Sequence, residues 1–192
     1  MARADVTGQG LKKGKAGEKP QRRPAKLPTK RRLNNIALFY LKRFSSSAEN
    51  LRQVLRRRVL KMTTEAPDLR AQAYQDIDEI VAAFVAKGAI NDAQYAAARV
   101  RFDQVLKKPK AKTAAKLRAK GIAPATIKQA LDSESHADAD FEAGLAIARR
   151  RRIGPYRTER DRDTDRKDLA TLARAGLDFK TAKRVLDWTS DD

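Results

Sequence analysis

The chain of 192 residues contains no cysteine and a single histidine. The lack of cysteine excludes disulfide bonds, thiolate metal sites and a cysteine nucleophile, and it fits a reducing, cytoplasmic setting. Apolar runs are short and interrupted by charge, so we expect neither a membrane span nor a secretory segment. Neither a G-x-x-x-x-G-K-[ST] loop nor a G-x-G-x-x-G loop occurs, so the sequence offers no machinery for nucleotide hydrolysis.

Acidic residues are outnumbered by basic ones, 24 against 43, which gives a formal net charge of +19. Residues 1–32 contribute +9 of this excess and contain many Gly and Pro but few large apolar side chains. Such a composition cannot offset the entropy of ordering, so residues 1–33 are predicted to form a disordered basic tail. Because the rest of the chain is also strongly basic, nucleic acid is the expected partner.

Two stretches, 117–132 and 172–187, are copies of one pattern placed 55 positions apart. Each copy reads as a helix end, a terminating Gly and a short second helix, because Gly adopts the left-handed conformation that ends helices. Pro124 suits the first helical position, and Asp178 suits an N-cap. A repeat at fixed spacing indicates helical units that stack on their neighbours.

Helical periodicity dominates the remaining sequence, and no stretch alternates like a strand. Ser46 with Glu49, and Asn91 with Gln94, have the spacing of capping boxes. We therefore predict an all-α protein of three tandem three-helix units in an elongated array, which we expect to be monomeric. The predicted segments are 1–33 as the tail, 34–90 as unit 1, 91–136 as unit 2 and 137–192 as unit 3.

Apolar side chains at helical spacing are assigned to the core first and to base stacking only second. Tyr95, Ala98, Phe102 and Val105 form the predicted buried stripe of the helix that opens unit 2. Trp188, near the end of the last helix, fits either closure of the core or a partner contact.

Three basic clusters near helix ends are the candidate nucleic-acid contacts. If helix ends of neighbouring units align, these clusters form a track for backbone phosphates that does not read sequence. The alternative for each cluster is a solvated face that favours a helix C-terminus. The candidates are Arg56, Arg57, Arg58, Lys107, Lys108, Lys110, Lys112, Lys116, Arg149, Arg150, Arg151, Arg152 and Arg157.

Candidates for catalysis or metal binding are weak, and we expect no cofactor and no metal. His136 lies in a polar link without partners on rigid elements. Asp161, Asp163 and Asp165 imitate the start of a calcium loop, but Arg166 stands where Gly is needed and Leu172 where Glu is needed. Local ion pairs and helix capping explain the three carboxylates better.

Short motifs in consistent order resemble the RecX regulatory family over roughly residues 34–188. Lys87–Ala96 resembles that family's Gly-x-Ile-(Asp/Asn)-Asp-x-x-Tyr-Ala signature, and Leu117–Ile122 resembles its Leu-x-x-Lys-Gly-Ile segment. Upstream, Ala37–Leu41 followed by Ser46-x-x-Glu49-x-Leu51 is similar to its opening motif. The resemblance implies tandem three-helix repeats and a non-enzymatic modulator of the RecA recombinase.

The same resemblance implies a mechanism and partners. Family members bind the filament of RecA on single-stranded DNA, block or destabilise it, and so damp recombination, ATP hydrolysis and SOS signalling. Two alternatives stay open from the residues alone. One is a sequence-independent nucleic-acid-coating protein of the nucleoid type, which needs only the charge. The other is a metal-dependent nuclease that uses Asp161, Asp163 and Asp165.

Overall fold

The computed structural model describes residues 27–64 and 66–189, and within these ranges the fold is all-α, as predicted, with no strand. The basic stretch 1–26 lies outside the described residues. No helix in the described ranges is long and apolar enough to cross a membrane. The helices are α1 (Lys30–Leu41), α2 (Ala48–Met62), α3 (Leu69–Ala86), α4 (Asp92–Val105), α5 (Lys110–Ala119), α6 (Pro124–Glu134), α7 (Ala139–Arg151), α8 (Arg162–Arg174) and α9 (Phe179–Leu186), with a 3₁₀ turn at Gly154–Tyr156.

Local capping signals place most helix starts. Asn91 accepts from the backbone N–H of Gln94 to begin α4, and Asp178 accepts from Thr181 to begin α9, both as predicted. The cap of α2 is Ser47 and not Ser46, because Ser47 Oγ accepts from the N–H of Asn50. The predicted position was wrong by one residue.

Helix α1 begins at Lys30, earlier than the predicted start at Asn34. Thr29 caps it by accepting from the N–H of Arg32, and Leu33 is completely buried against α2 and α3. Residues 30–33 therefore belong to the helix and not to a disordered tail. The sequence obscured this start because Lys30, Arg31 and Arg32 continue the basic composition of the preceding stretch.

Buried apolar side chains of the described residues gather in three clusters. One joins α1, α2 and α3, a second joins α4, α5 and α6, and a third joins α7, α8 and α9. We name these sets of helices the first, second and third helix groups. The division of the whole chain into three repeat units at the boundaries given above stays a prediction.

Helix α4 buries a different face from the predicted one. Ala96, Val100 and Asp103 face the interior, whereas Phe102 is 55% and Val105 80% exposed. The buried face is shifted by one residue, about 100° around the helix axis. Helix α6 packs against Ala96 and Val100 of this face, and the buried face also contains the carboxylate of Asp103.

Each of the two repeated Gly turns packs against the preceding helix group. Gly121, between α5 and α6, has φ +73° and lies against Glu49 at the start of α2. Gly176, between α8 and α9, has φ +99° and lies against Ala111 and Lys112 at the start of α5. Both copies of the repeat therefore make the same contact. Each Gly turn lies against the N-terminal residues of the second helix in the preceding helix group, α2 for Gly121 and α5 for Gly176.

Side-chain hydrogen bonds strengthen both contacts. Ser47 Oγ donates to the Lys120 carbonyl at 2.6 Å, and Lys120 Nζ donates to Asn50 Oδ1 at 2.8 Å. Asp92 Oδ1 accepts from the backbone N–H of Ala48 at 2.9 Å, and Asp140 Oδ1 accepts from that of Lys110 at 2.7 Å. Each carboxylate satisfies an N–H at a helix start that has no partner within its own helix.

Candidate nucleic-acid interface

The first basic cluster, Arg56–Arg58, lies within α2 and not at a helix junction. Arg56 approaches Asp78 of α3 at 3.6 Å and lies over the ring of Tyr74 at 5.6 Å. Arg57 and Arg58 are exposed, and neither forms an ion pair with any described carboxylate. This cluster therefore occupies a helix face one to two turns before the end of α2.

The second cluster surrounds the junction of α4 and α5, where five lysines were predicted as contacts. Two of them, Lys108 and Lys116, bind the buried carboxylate of Asp103 at 3.0 and 3.3 Å. Lys107 pairs with Glu142 of α7. The side chains of Lys110 and Lys112 have no ion pair with a described carboxylate and stay available to a ligand.

Asp103 organises the cations of this junction. Its side chain is completely buried, and it also binds Arg99 at 3.2 Å and accepts a hydrogen bond from Thr113. Burial alone would raise the pKa of Asp103, but the hydrogen bond from Lys108 and the charges of Arg99 and Lys116 outweigh it and hold the pKa below its ordinary value. Three cations around one carboxylate leave a local excess of positive charge at fixed positions.

Desolvation acts on the pKa of Lys116 in the opposite direction. Partial burial lowers the pKa of Lys116, and the neighbouring carboxylate of Asp103 only partly reverses that effect. The ammonium group of Lys116 thus lies between water and the buried carboxylate of Asp103, and the ion pair holds it in place. An anion approaching the junction would find the ammonium group already in place.

The third cluster lies at the end of α7. Arg149, Arg150, Arg151 and Arg152 are exposed, and within the described ranges none of them pairs with a carboxylate. Arg157 differs, because its guanidinium binds buried Asp168 with two hydrogen bonds of 2.7 and 3.1 Å. That pairing raises the pKa of Arg157 and fixes the loop that follows α7.

Two of the candidate residues have a backbone conformation that favours glycine. Lys107 has φ +48° at the end of α4, and Arg152 has φ +53° at the end of α7. A left-handed residue with a side chain costs on the order of 1 kcal/mol, so each of these two basic residues occupies a position where Gly would be less strained. The strain therefore coincides with the basic junctions of the second and third helix groups.

Sequence reasoning missed the residues that hold these cations and the aromatic rings beside them. The i, i+4 spacing of Arg99 and Asp103 signals an ion pair, but nothing local shows that the carboxylate is buried. At the equivalent junction after α1, Arg43 lies 5.7 Å from the ring of Phe39 and 5.9 Å from that of Phe44. Both rings are more than half exposed.

The residues considered for catalysis or metal binding make capping and ion-pair contacts with nearby residues. Asp161 caps α8 in a reciprocal pair with Thr164, and Asp165 binds Arg160 at 2.9 Å. His136 is half exposed, with Nε2 3.7 Å from Glu142 Oε1. Among residues 27–64 and 66–189, no group of three His, Cys, Asp or Glu side chains could hold a metal ion.

The last aromatic residue contributes to a local cluster. Trp188 lies 6.1 Å from Tyr156, centroid to centroid, and is partly exposed. Trp188 therefore packs against the 3₁₀ turn that follows α7. Of its two predicted roles, this contact supports closure of the core of the third helix group.

Comparison with known proteins identifies the family. The Regulatory protein RecX of Myxococcus xanthus (strain DK1622) is 35% identical over 176 residues, 90% of this chain and 93% of that protein. The Regulatory protein RecX of Agrobacterium fabrum (strain C58 / ATCC 33970) is 30% identical over 169 residues, 86% of this chain and 89% of that protein. No protein-family model matches the chain.

Solved structures agree on the fold. The crystal structure of RecX from Lactobacillus salivarius superposes with a TM-score of 0.63 at 22% identity, covering 82% of this chain and 96% of that one. A second crystal structure of regulatory protein RecX gives a TM-score of 0.64 at 21% identity, covering 83% of this chain and 72% of that one. Given the extent and identity of the sequence matches, the chain belongs to the RecX family of regulatory proteins.

Proposed function

We propose that this protein is a non-enzymatic regulator that binds the filament of RecA on single-stranded DNA in the cytoplasm and inhibits or destabilises it. Membership of the RecX family supports the regulatory role. The observation that carries the DNA part is the exposed basic end of α7, Arg149–Arg152, together with the basic junction of α4 and α5. Regulation of this kind would damp recombination, ATP hydrolysis and SOS signalling.

The proposed mechanism is competition for the filament. Exposed cations would contact backbone phosphates without reading sequence, while the helix groups occupy the space of the next recombinase protomer. Lysines bound to Asp103 keep their charge in fixed positions, so less conformational entropy is lost on binding than with freely rotating side chains. No step of this mechanism requires a nucleophile, a metal or a bound nucleotide.

The test is the ATPase activity of RecA on single-stranded DNA, titrated with this protein at physiological salt. We expect inhibition at well below one protein per recombinase protomer, because blocking one filament end stops growth of the whole filament. Inhibition only at ratios that coat the DNA, and equal inhibition of an unrelated DNA-dependent ATPase, would favour the nucleoid-type coating protein. An unchanged rate at excess protein would refute the proposal.

A charge-matched pair of variants separates position from net charge. Replacing Arg149, Arg150 and Arg151 by Gln removes three charges from the end of α7, and inhibition should then require severalfold more protein. The control replaces Arg166, Lys180 and Lys183, three exposed cations of α8 and α9, by Gln. Equal loss in both variants would mean that total charge alone accounts for binding.

A further inference from the structure

The end of α4 presents an exposed aromatic ring beside two anchored cations. Phe102 is 55% exposed, and its ring centroid lies 5.5 Å from the Arg99 guanidinium and 5.8 Å from Lys108 Nζ. Both cations bind buried Asp103, so their positions beside the ring are fixed. Val105 and Leu106 extend the exposed apolar surface.

An exposed aromatic ring beside fixed cations indicates what kind of ligand could bind here. The surplus positive charge around Asp103 attracts an anion, and the exposed ring offers a flat apolar face. Phosphate and a planar base occur together in every nucleotide, and sequence-tolerant binding of single strands combines a basic groove with stacking on aromatic side chains. Duplex DNA hides its base faces, so an aromatic ring adds little to duplex binding.

The junction after α1 also places a cation beside exposed aromatic rings. Phe39 is 64% exposed and Phe44 51%, and the Arg43 guanidinium lies within 6 Å of both rings. Exposed phenylalanines beside cations thus occur at the end of the opening helix in two successive helix groups. A polymer that repeats one chemical unit fits such recurrence better than a single protein contact does.

We propose that Phe102, with Arg99, Lys108 and Lys116, forms a binding site for a nucleotide of single-stranded nucleic acid, in which the ring stacks on a base and the cations contact its phosphate. The site deepens the proposed function and depends on it for its role in the cell. Asp103 acts as a positioning residue that holds the cations and does not touch the ligand.

Binding to DNA alone tests the site without recombinase. Fluorescence anisotropy would compare labelled oligothymidylate with duplex DNA of the same length, using the full chain and its Phe102→Leu variant. Leucine keeps an apolar side chain but loses the planar face, so affinity for the single strand should fall roughly tenfold. Affinity for the duplex should change by less than about twofold, because it depends on the phosphate contacts.

A matched control uses Phe179→Leu. Phe179 is 68% exposed at the start of α9, and within the described residues no cation lies over its ring. That variant should bind both DNAs as the parent chain does. Thermal melting by circular dichroism checks that both variants remain folded, which their exposed positions favour.

A spectroscopic readout reports stacking directly. Phe102→Trp in a Trp188→Phe background places the sole tryptophan at the site, and its fluorescence should be quenched when oligothymidylate binds. Quenching together with the selective loss in Phe102→Leu supports the site. No loss of affinity, equal loss on both DNAs, or no quenching at saturation would overturn it.

The recombinase ATPase assay separates this inference from the proposed function. If Phe102→Leu binds single strands normally but no longer inhibits the ATPase, the exposed surface contacts protein and the nucleotide site is refuted, whereas the regulatory role survives. If the parent chain fails to inhibit the ATPase but shows the selective binding described above, the site stands and the proposed function falls.

Discussion

The contact between Gly121 and Glu49 allows a quantitative test of how the helix groups are joined. Gly121 has φ +73°, and a Cβ added there would overlap Cβ and Cγ of Glu49 in the first turn of α2. Gly88 has nearly the same conformation, φ +70°, but a Cβ there would meet nothing within 4 Å. Replacing each by Ala therefore separates backbone strain from the loss of the contact.

The expected magnitudes follow from these two surroundings. Gly88→Ala should cost about 1 kcal/mol, the left-handed penalty reduced by the lower entropy of the unfolded chain. Gly121→Ala carries the same cost and also forces α2 and the turn apart, which adds about 1–3 kcal/mol as in other overpacked sites. The added cost is not relieved by a rotamer change, because the overlap includes the first side-chain carbon of Glu49.

Chemical and thermal denaturation followed by circular dichroism would measure both variants. For a chain of this size 1 kcal/mol lowers Tm by about 2–4 °C, so Gly88→Ala should lose about 2–4 °C and Gly121→Ala roughly 4–16 °C. Equal losses in the two variants would refute the contact. Glu49→Gly supplies the second arm, since removing the overlapping atoms should make the double variant more stable than the sum of the single changes predicts.

Two other predictions concern the basic junctions. Asp103→Asn should cost about 2 kcal/mol at pH 7, less than a fully buried pair, because the freed cations are partly exposed and regain water. The pKa of Asp103 is depressed in the folded chain, so its contribution is present above the unfolded pKa of about 3.9 and is lost as pH falls through the lower folded value. The gap in urea midpoint between the parent chain and Asp103→Asn should therefore narrow from pH 7 to pH 3, and a gap that stays constant would contradict the pairing. The control is Asp132→Asn, which removes an exposed ion pair and should leave the urea midpoint at pH 7 nearly unchanged. Arg152→Gly should leave stability unchanged or raise it by up to about 1 kcal/mol, because Gly relieves the left-handed strain, whereas Arg150→Gly within α7 should lower it by about 1 kcal/mol. Both remove one charge from the same cluster, so DNA affinity should fall alike, and parallel losses of stability would show that Arg152 carries no strain.

Local signals in the sequence predicted the helices well, because caps and Gly turns act within a few residues. Asn91, Asp178 and Pro124 begin helices as predicted, and Gly121 and Gly176 lie in the turns assigned to them. The predicted start of α1 was wrong because its basic residues resemble those before it. The cap at Thr29 and the burial of Leu33 show where the helix begins.

The candidate interface was harder to predict because the positions of its side chains depend on contacts between helices. The predicted stripe of α4 treated Phe102 as core, and the structure places it outside and Asp103 inside. A carboxylate can be buried there only because Lys116 of α5 and Lys108 of the junction reach it. Hydrophobic periodicity alone assigns such a position to the surface, and it cannot show that part of a basic cluster is bound to a buried acid.

The repeated turn and the basic junctions are linked by geometry. Gly176 lies on Ala111 and Lys112, and Asp140 holds the backbone N–H of Lys110, so the basic start of α5 is fixed against the third helix group on two sides. That same group carries Arg149–Arg152 at the end of α7. The sequence repeat therefore contributes no chemistry of its own, but it sets the position of one basic cluster relative to the next. A fixed spacing of cations lowers the cost of binding a ligand with evenly spaced charges, because the cations can meet the phosphates without rearrangement of the helices.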